Sequence, residues 1–405
     1  MSSGIFWWVA GTAVMIAGVL SNRHLREFLA RSFATRAYSQ QRDLAIDGIR
    51  GIVSTSVVFG HYFQYLSGPE ALKVVDGAIF PYAVSLFAAM SGYVLYAGLS
   101  AKPLTADVIS SYLKRRFFRI YPLYVLYFVI MFITVVGVSA TLMPRQILTL
   151  LSDLLMMDLW RFGWRLRTPT WSLYPEMMYS LMLPLWMLLL AKHPRGGGRG
   201  AMVTYFVLAV FSWAATPNGA TDATFNLLRY FFLGMALFHG VKALRQYGVT
   251  VWMEVLLSVG FILGCYLSLA FTDWASMPTA LAVPLNLYKR IGISFHQDLC
   301  ILLFTPAILL CGWLRRLFSL PAVVFLGTIS YGTYILHIPL FYLLHADKLD
   351  SSTGMFVATG PNLPWGEWNI IVYWLGVILL ASIAHVVIEQ PMINFGYRLS
   401  RPERG

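Results

Sequence analysis

Residues 46–66 read IDGIRGIVSTSVVFGHYFQYL, an apolar stretch that is long enough to cross a bilayer as a helix. Arg50 and His61 are ionisable residues that lie eleven positions apart within it. At about 100° per residue this spacing returns close to the starting direction, so both side chains lie on one helix face, about 16 Å apart along the axis. Because ionisable residues inside a membrane normally face a polar cavity, the stretch predicts a span that lines an embedded polar site.

The composition of the whole chain is typical of a membrane protein. The 405 residues are 58% hydrophobic and 12% charged, whereas soluble domains have about 25% charged residues. The apolar runs are 5–20, 46–66, 78–98, 118–138, 171–191, 201–217, 224–240, 250–271, 293–313, 321–344 and 368–388. They predict an all-α, polytopic integral membrane protein with about ten spans in the main domain and one N-terminal span. The three cysteines lack metal-binding spacing, so they are predicted to be buried thiols, and no metal site is expected.

Basic residues are concentrated in alternate segments between the apolar runs. Most of the 30 Lys and Arg residues lie in segments 21–43, 99–119, 192–200, 241–249, 314–320 and the tail. A net charge of +12 would also suit a nucleic-acid-binding protein, but basic residues between spans indicate topology and contacts with anionic lipids. By the positive-inside rule, these segments and the C-terminus are cytoplasmic. Run 5–20 is then an anchor with its N-terminus outside or, alternatively, an interfacial piece.

The same alternation assigns a depth to each polar residue. The runs that carry His61 and His337 pass outwards and the run that carries Glu176 passes inwards. All three side chains are therefore expected in the outer half of the membrane. The arginines expected at the opposite, cytoplasmic depth are Arg50, Arg115, Arg116 and Arg119. The sequence thus predicts two polar sites at different depths of one bundle.

Six short motifs occur along the chain. They are Asp47-Gly48-Ile49-Arg50-Gly51 with His61, Ser91-Gly92-Tyr93, Arg115-Arg116-Phe117-Phe118-Arg119-Ile120-Tyr121-Pro122, Thr170-Trp171-Ser172-Leu173-Tyr174-Pro175-Glu176 with Tyr179, Gly327-Thr328-Ile329-Ser330-Tyr331 through His337 and Pro339, and Glu389-Gln390-Pro391. In this order they resemble the membrane acyltransferase-3 family, which O-acylates cell-surface sugars. Pro175 departs from the family pattern, in which valine is common. The resemblance implies a membrane domain over residues 44–395, preceded by an anchor and basic linker, 1–43, and followed by a tail, 396–405.

The resemblance also implies roles for individual residues. The expected donor is a cytoplasmic acyl-CoA, with no tightly bound cofactor, and arginine forks suit its phosphates. The predicted donor-binding residues are Arg50, Arg115, Arg116, Arg119 and Tyr121, and the predicted acceptor-cleft residues are Trp171, Tyr179, Arg229 and His296. His61 is predicted to act as a general base or as an acyl carrier. Glu176 would orient the imidazole if the two touch, and His337 is the third predicted catalytic residue.

These roles predict an enzyme that transfers an acyl group, in the simplest case acetyl, across a bacterial inner membrane. The acceptor would be a hydroxyl of an extracytoplasmic polysaccharide or glycolipid. The expected partners are acyl-CoA, this acceptor and the bilayer, and no nucleic acid is expected. The sequence leaves open whether the protein forms an oligomer. A secondary transporter, or a flippase for an acylated carrier, is the alternative because the composition suits it equally well. The intact pair of Arg50 and His61 favours the enzyme.

The charge pattern leads to a direct test of topology. Gly197 lies in a predicted cytoplasmic segment, and Ser352 lies in a segment predicted to be outside. Single-cysteine variants, Gly197→Cys and Ser352→Cys in a background without other cysteines, should react with an impermeant thiol reagent from opposite sides of the membrane. Labelling of both positions from the same side would contradict the orientation.

Overall fold

Helices form over the apolar runs because a backbone inside lipid must satisfy its own hydrogen bonds. The computed structural model describes residues 43–66, 80–138, 154–155, 170–190, 197–214, 223–270, 293–350, 355–358 and 369–400. The helices are α1 (Leu44–Leu66), α2 (Phe80–Ser100), α3 (Ala106–Val138), α4 (Thr170–Leu190), α5 (Gly197–Ala214), α6 (Ala223–Tyr247), α7 (Val251–Ala270), α8 (Ile293–Leu310), α9 (Gly312–Phe318), α10 (Pro321–Thr328), α11 (Ser330–His345), α12 (Asn369–Ala384) and α13 (Gln390–Leu399). A π-helical turn, His385–Glu389, joins the last two. The one departure from the predicted all-α class within these ranges is an antiparallel hairpin of β1 (Ala346–Asp350) and β2 (Met355–Ala358).

Several of these helices can cross a membrane. Four described segments are long and apolar enough to do so, namely Ala83–Ser100, Ala106–Ile133, Leu227–Tyr247 and Asn369–Leu399. The count rises to six when each of two bent helix pairs is taken as one span. The chain is therefore a multi-pass membrane protein, and the expected total of about ten spans plus one stays a prediction. Run 5–20, the expected N-terminal anchor, lies outside the described residues.

The backbone of α1 is in contact with the end of α9 and with α10. A Cβ atom added at Gly48 would collide with the carbonyl oxygen of Phe318, and one at Gly327 would collide with that of Asp47. At Gly51 the added atom would lie 2.6 Å from the backbone nitrogen of Gly327. Small residues permit such close approach between membrane helices, which lack a hydrophobic driving force for association in lipid. The glycines of the first motif therefore set the position of α1 against α9 and α10.

A second crossing of this kind joins α2 and α6. A Cβ at Gly92 would collide with the carbonyl oxygen of Phe231, and one at Gly234 with that of Ala89. The surrounding core is apolar and aromatic, with Met90 and Met235 almost fully buried. Gly92 belongs to the Ser-Gly-Tyr motif, so this motif also serves helix packing.

Two pairs of consecutive helices are separated by sharp bends. The axes of α8 and α9 differ by 92°, and those of α10 and α11 differ by 65°. At the first break Cys311 is extended, and the backbone nitrogen of Gly312 donates to Glu254 Oε1 at 3.0 Å. The carbonyl of Leu309 accepts from Arg245 Nη2 at 3.0 Å. Charged side chains thus satisfy backbone groups that the interruption would leave exposed in an apolar setting.

Segments rich in basic residues meet at one end of the bundle, which we call the basic end and define by residues 43, 111, 245, 315 and 400. Asp43 Oδ2 lies 3.1 Å from Arg245 Nη2 and 3.3 Å from Arg315 Nη2. Elsewhere at this end, Ser111 Oγ donates to the carbonyl of Ser400 at 3.1 Å. These contacts join stretches that the charge alternation places on one side of the membrane.

The backbone crossing of α2 and α6 can be tested by adding one methyl group. Gly92→Ala should lower the stability of the folded protein by about 1–3 kcal/mol, because the new atom has no space without moving a helix. Gly98→Ala is the matched control in the same helix, since nothing lies within 4 Å of a Cβ at that position. Thermal unfolding in detergent should show a lower transition only for Gly92→Ala. Equal transitions in both variants would mean that the two helices are not in backbone contact.

Candidate functional site

A cleft opens between the central helices of the bundle. Its walls are formed by Arg50, Val84, Phe87, Ala88, Arg116, Arg119, Ile120, Ser172, Leu173, Glu176, Tyr179, Leu227, Phe231, Ser330, Tyr331 and Tyr334. Three guanidinium groups, one carboxylate and several hydroxyls therefore share the cleft with aliphatic and aromatic side chains. This lining can hold a ligand that is both anionic and apolar, since arginine forks bind phosphate or carboxylate oxygens.

Glu176 is held by two donors on one oxygen. Ser91 Oγ donates to Glu176 Oε1 at 2.7 Å, and Arg116 Nη2 donates to the same atom at 2.8 Å. The Arg116 side chain is only 9% exposed, so the ion pair lies largely out of water. Three of the motifs seen in the sequence, those around Ser91, Arg116 and Glu176, thus meet at a single carboxylate oxygen.

This ion pair corrects the predicted separation of depths. Glu176 was expected in the outer half and Arg116 at the cytoplasmic depth, yet their side chains touch. A second contact, from Tyr112 OH to the carbonyl of Ser180 at 2.8 Å, lies four residues away on each helix, as antiparallel packing requires. This register puts the start of α4 beside about residue 122 of α3, which continues for about 24 Å more. Glu176 and Arg116 therefore share one depth, which an apolar run in the sequence cannot reveal.

His61 and His337 form a buried pair. His61 Nδ1 lies 2.8 Å from His337 Nε2, and the rings are stacked with centroids 5.0 Å apart. His61 is 8% exposed and His337 is fully buried. The other nitrogen of His337, Nδ1, lies 3.2 Å from the carbonyl of Thr333, which can only accept. With both rings neutral and a proton on His337 Nδ1, His337 Nε2 accepts from His61 Nδ1, and the lone pair of His61 is on Nε2.

The histidine pair adjoins the cleft through α11. Tyr334 lines the cleft, and its ring centroid lies 6.2 Å from that of His337. Its hydroxyl is 2.6 Å from Ser172 Oγ, and the hydroxyl of Tyr331 donates to the carbonyl of Ile120 at 2.8 Å. The arginines and the histidines therefore belong to adjoining parts of one site.

The structure places the other predicted site residues as follows. The predicted orienting partner of His61 was Glu176, but His61 Nδ1 is bonded to His337, and Glu176 Oε1 accepts from Ser91 and Arg116. Tyr179 lines the same cleft as the arginines. Outside that lining, Arg115 packs over the ring of Tyr397 with 5.5 Å to the centroid, and Tyr121 OH donates to the carbonyl of Leu154 at 3.0 Å.

Arg229, expected in an acceptor cleft, is buried among helices α2, α6 and α8. Its Nε lies 3.5 Å from Asp298 Oδ1, and its guanidinium lies over the ring of Tyr230. The side chains of Trp171 and His296 lie outside the part of the chain whose side chains are described. Within the described ranges no group of His, Cys, Asp and Glu residues is suited to hold a metal ion.

Sequence reasoning missed the partners that hold the site together. Ser91 and Tyr334 stand inside recognised motifs but were not assigned to the site. Tyr334 precedes His337 by three residues, a helical spacing that places both on one face and could have indicated its role. Tyr373, whose hydroxyl donates to the carbonyl of His337 at 2.8 Å, lies in an apolar run without any such signal.

The sequence is similar to those of known proteins, among them an acyltransferase. An acyltransferase from Streptomyces mycarofaciens, MdmB, is 32% identical over 118 residues, which cover 28% of this chain and 30% of MdmB. A protein of the picA locus of Rhizobium radiobacter, Protein 2, is 36% identical over 87 residues, which cover 21% of this chain and 42% of that protein. The chain thus matches less than half the length of either relative, and no solved structure matches it. Residues 43–389 match the family described as Acyltransferase domain (Acyl_transf_3), and the chain belongs to that family.

Proposed function

We propose that this protein transfers an acyl group, in the simplest case acetyl, from cytoplasmic acyl-CoA to a hydroxyl of an extracytoplasmic polysaccharide or glycolipid. The family supports acyl transfer in general, and the finer statement is ours. The observation that carries it is the buried pair of His61 and His337 beside an arginine-lined cleft. Both parts are needed, because the reaction requires a base for a weakly acidic hydroxyl and a binding site for an anionic donor.

The histidine pair supplies the base. In the assigned tautomer His61 Nε2 accepts the proton of the acceptor hydroxyl as its oxygen attacks the thioester carbon. The positive charge that then develops on His61 is shared with His337 through the hydrogen bond of 2.8 Å. Collapse of the intermediate breaks the carbon–sulfur bond, and the leaving thiolate takes the proton from His61. His337 is therefore a positioning residue that fixes the tautomer of His61, the role predicted for Glu176.

The same lone pair could attack the thioester directly, so that His61 carries the acyl group. The two routes differ in one observable, an acylated enzyme in the absence of acceptor. Trapping of radiolabelled acetyl on His61 would establish the carrier route. Its absence, together with His61-dependent turnover, would establish the base route.

The arginines supply the donor site in this proposal. Arg50 and Arg119 line the cleft together with Arg116, and their charges suit the phosphates of coenzyme A. Arg116 is shared with Glu176, which neutralises part of its charge and fixes its side chain. Glu176 thus acts on the donor side, through Arg116, in place of its predicted action on His61.

A transporter or flippase is the second candidate, and a specific observation favours it. Two pairs of consecutive helices are separated by bends of 92° and 65°, and interrupted helices commonly surround the substrate site of transporters. The candidates are separated by one measurement, whether purified protein releases coenzyme A from acetyl-CoA in a manner that depends on His61.

The role of His61 leads to a kinetic prediction. His61→Gln keeps a polar side chain of similar size but offers no basic nitrogen, so kcat should fall by about a hundredfold or more while the donor still binds. His239→Gln is the matched control, because this histidine bonds Tyr96 at 2.8 Å and is not among the cleft residues. Release of coenzyme A and labelling of envelope glycans with radioactive acetyl are the readouts. Loss of activity in the control, or full activity in His61→Gln, would contradict the assignment.

The role of Arg50 predicts a different kinetic effect. Arg50→Lys keeps the charge but loses the planar fork, so KM for acetyl-CoA should rise while KM for the acceptor stays nearly constant. The comparison uses equal amounts of folded protein. If Arg50 were purely structural, the yield of folded protein would fall without any change specific to the donor, and the proposed donor site would be wrong.

A further inference from the structure

Ser330 is a buried hydroxyl on the wall of the cleft. It is the first residue of α11 and is 1% exposed. Its Oγ has no hydrogen-bond partner among the residues that the structure describes, although Ser330 lines the cleft. The Nε atom of Arg116, which lines the same cleft, is likewise buried without a partner within those ranges. Ser330 Oγ and Arg116 Nε are thus two donors of one cleft that have no acceptor among the described residues.

The bend between α10 and α11 accounts for the missing intrahelical hydrogen bond of Ser330. The buried hydroxyls of Thr55, Thr305 and Thr333 also have no partner among the described residues, but they do not line the cleft. The hydroxyls of Ser180, Thr328 and Ser382 donate to the carbonyl four residues earlier in their own helices. For Ser330 that carbonyl belongs to Leu326, on the other side of the 65° bend. The N-terminal turn of α11 also carries partial positive charge, which favours an electron-rich group near Ser330. Buried polar groups without partners are uncommon in native proteins, and a bound ligand is one way in which they are satisfied.

We propose that Ser330 Oγ and Arg116 Nε form a subsite for an acceptor oxygen of the acyl-CoA donor. This inference rests on the proposed function and names residues that bind the donor besides Arg50 and Arg119. Ser330 precedes His337 by seven residues, about 10 Å along α11, so the subsite lies away from the reacting carbonyl. The subsite therefore contacts a part of the donor away from the reacting carbonyl, so it is not an oxyanion hole.

Two parts of coenzyme A carry acceptor oxygens that suit these donors. Phosphate oxygens lie at the nucleotide end, and amide carbonyls lie along the pantetheine arm. S-acetylpantetheine retains the amides and lacks the nucleotide and its phosphates, so it separates the two sources. A defect of Ser330→Ala with acetyl-CoA alone would assign the subsite to phosphate, and a defect with both donors would assign it to an amide.

The test uses Ser330→Ala with Ser382→Ala as the matched control. We expect KM for acetyl-CoA to rise about tenfold in Ser330→Ala, with kcat nearly unchanged, because one hydrogen bond to the bound donor is lost. The thermal transition of the protein without ligand should not fall, since the hydroxyl that is removed has no partner there. Ser382→Ala should leave KM unchanged. A lower thermal transition for Ser330→Ala with unchanged KM would overturn the proposal, because it would show a structural hydrogen bond.

Equilibrium binding keeps this test separate from the proposed function. Purified wild-type protein and Ser330→Ala are titrated with coenzyme A, which needs no turnover. Binding that weakens about tenfold in the variant supports the subsite even if acetyl transfer is never observed. Equal binding by the two proteins overturns the subsite even if the wild type transfers acetyl groups.

Discussion

The contact on which the site depends is the crossing of α1 with α10, where two backbones touch because Gly51 and Gly327 have no side chains. Lipid offers little hydrophobic gain for bringing helices together, so such close packing is one of the few available sources of association. Arg50 and His61 lie on α1, and Ser330 and His337 lie on the helix that continues from α10. The glycine contact therefore fixes the distance between the two halves of the site.

The sequence predicted much of this arrangement from spacing and charge. Arg50 and His61 were expected on one face of a span, and the structure places Arg50 in the cleft and His61 against His337 at the adjoining pair. The alternation of basic segments anticipated the contacts of Asp43 with Arg245 and Arg315, which join separate segments at the basic end. Helical periodicity and loop charge are properties of local sequence, so they can be read without knowledge of the packing.

The position of Glu176 could not be predicted in the same way. Its depth depends on the register of α4 against α3, which is set by contacts such as Tyr112 with Ser180 between residues far apart in the chain. The partner of His61 was missed for a related reason, since the choice between Glu176 and His337 depends on how three helices pack. The interruption at Ile329 is equally non-local, because Gly327 must meet Asp47 near the start of α1 while His337 on α11 meets His61 farther along the same helix.

The single oxygen of Glu176 that accepts from both Ser91 and Arg116 has a mechanical consequence. It ties α2, α3 and α4 into one wall through a charged contact, and such hydrogen bonds are about twice as strong as those between neutral groups. The hydrogen bonds of Tyr331 with Ile120 and of Tyr334 with Ser172, which tie α11 to this wall, are between neutral groups. The cleft is therefore braced unequally: a charged contact holds α2, α3 and α4 together, and neutral hydrogen bonds hold α11 against them.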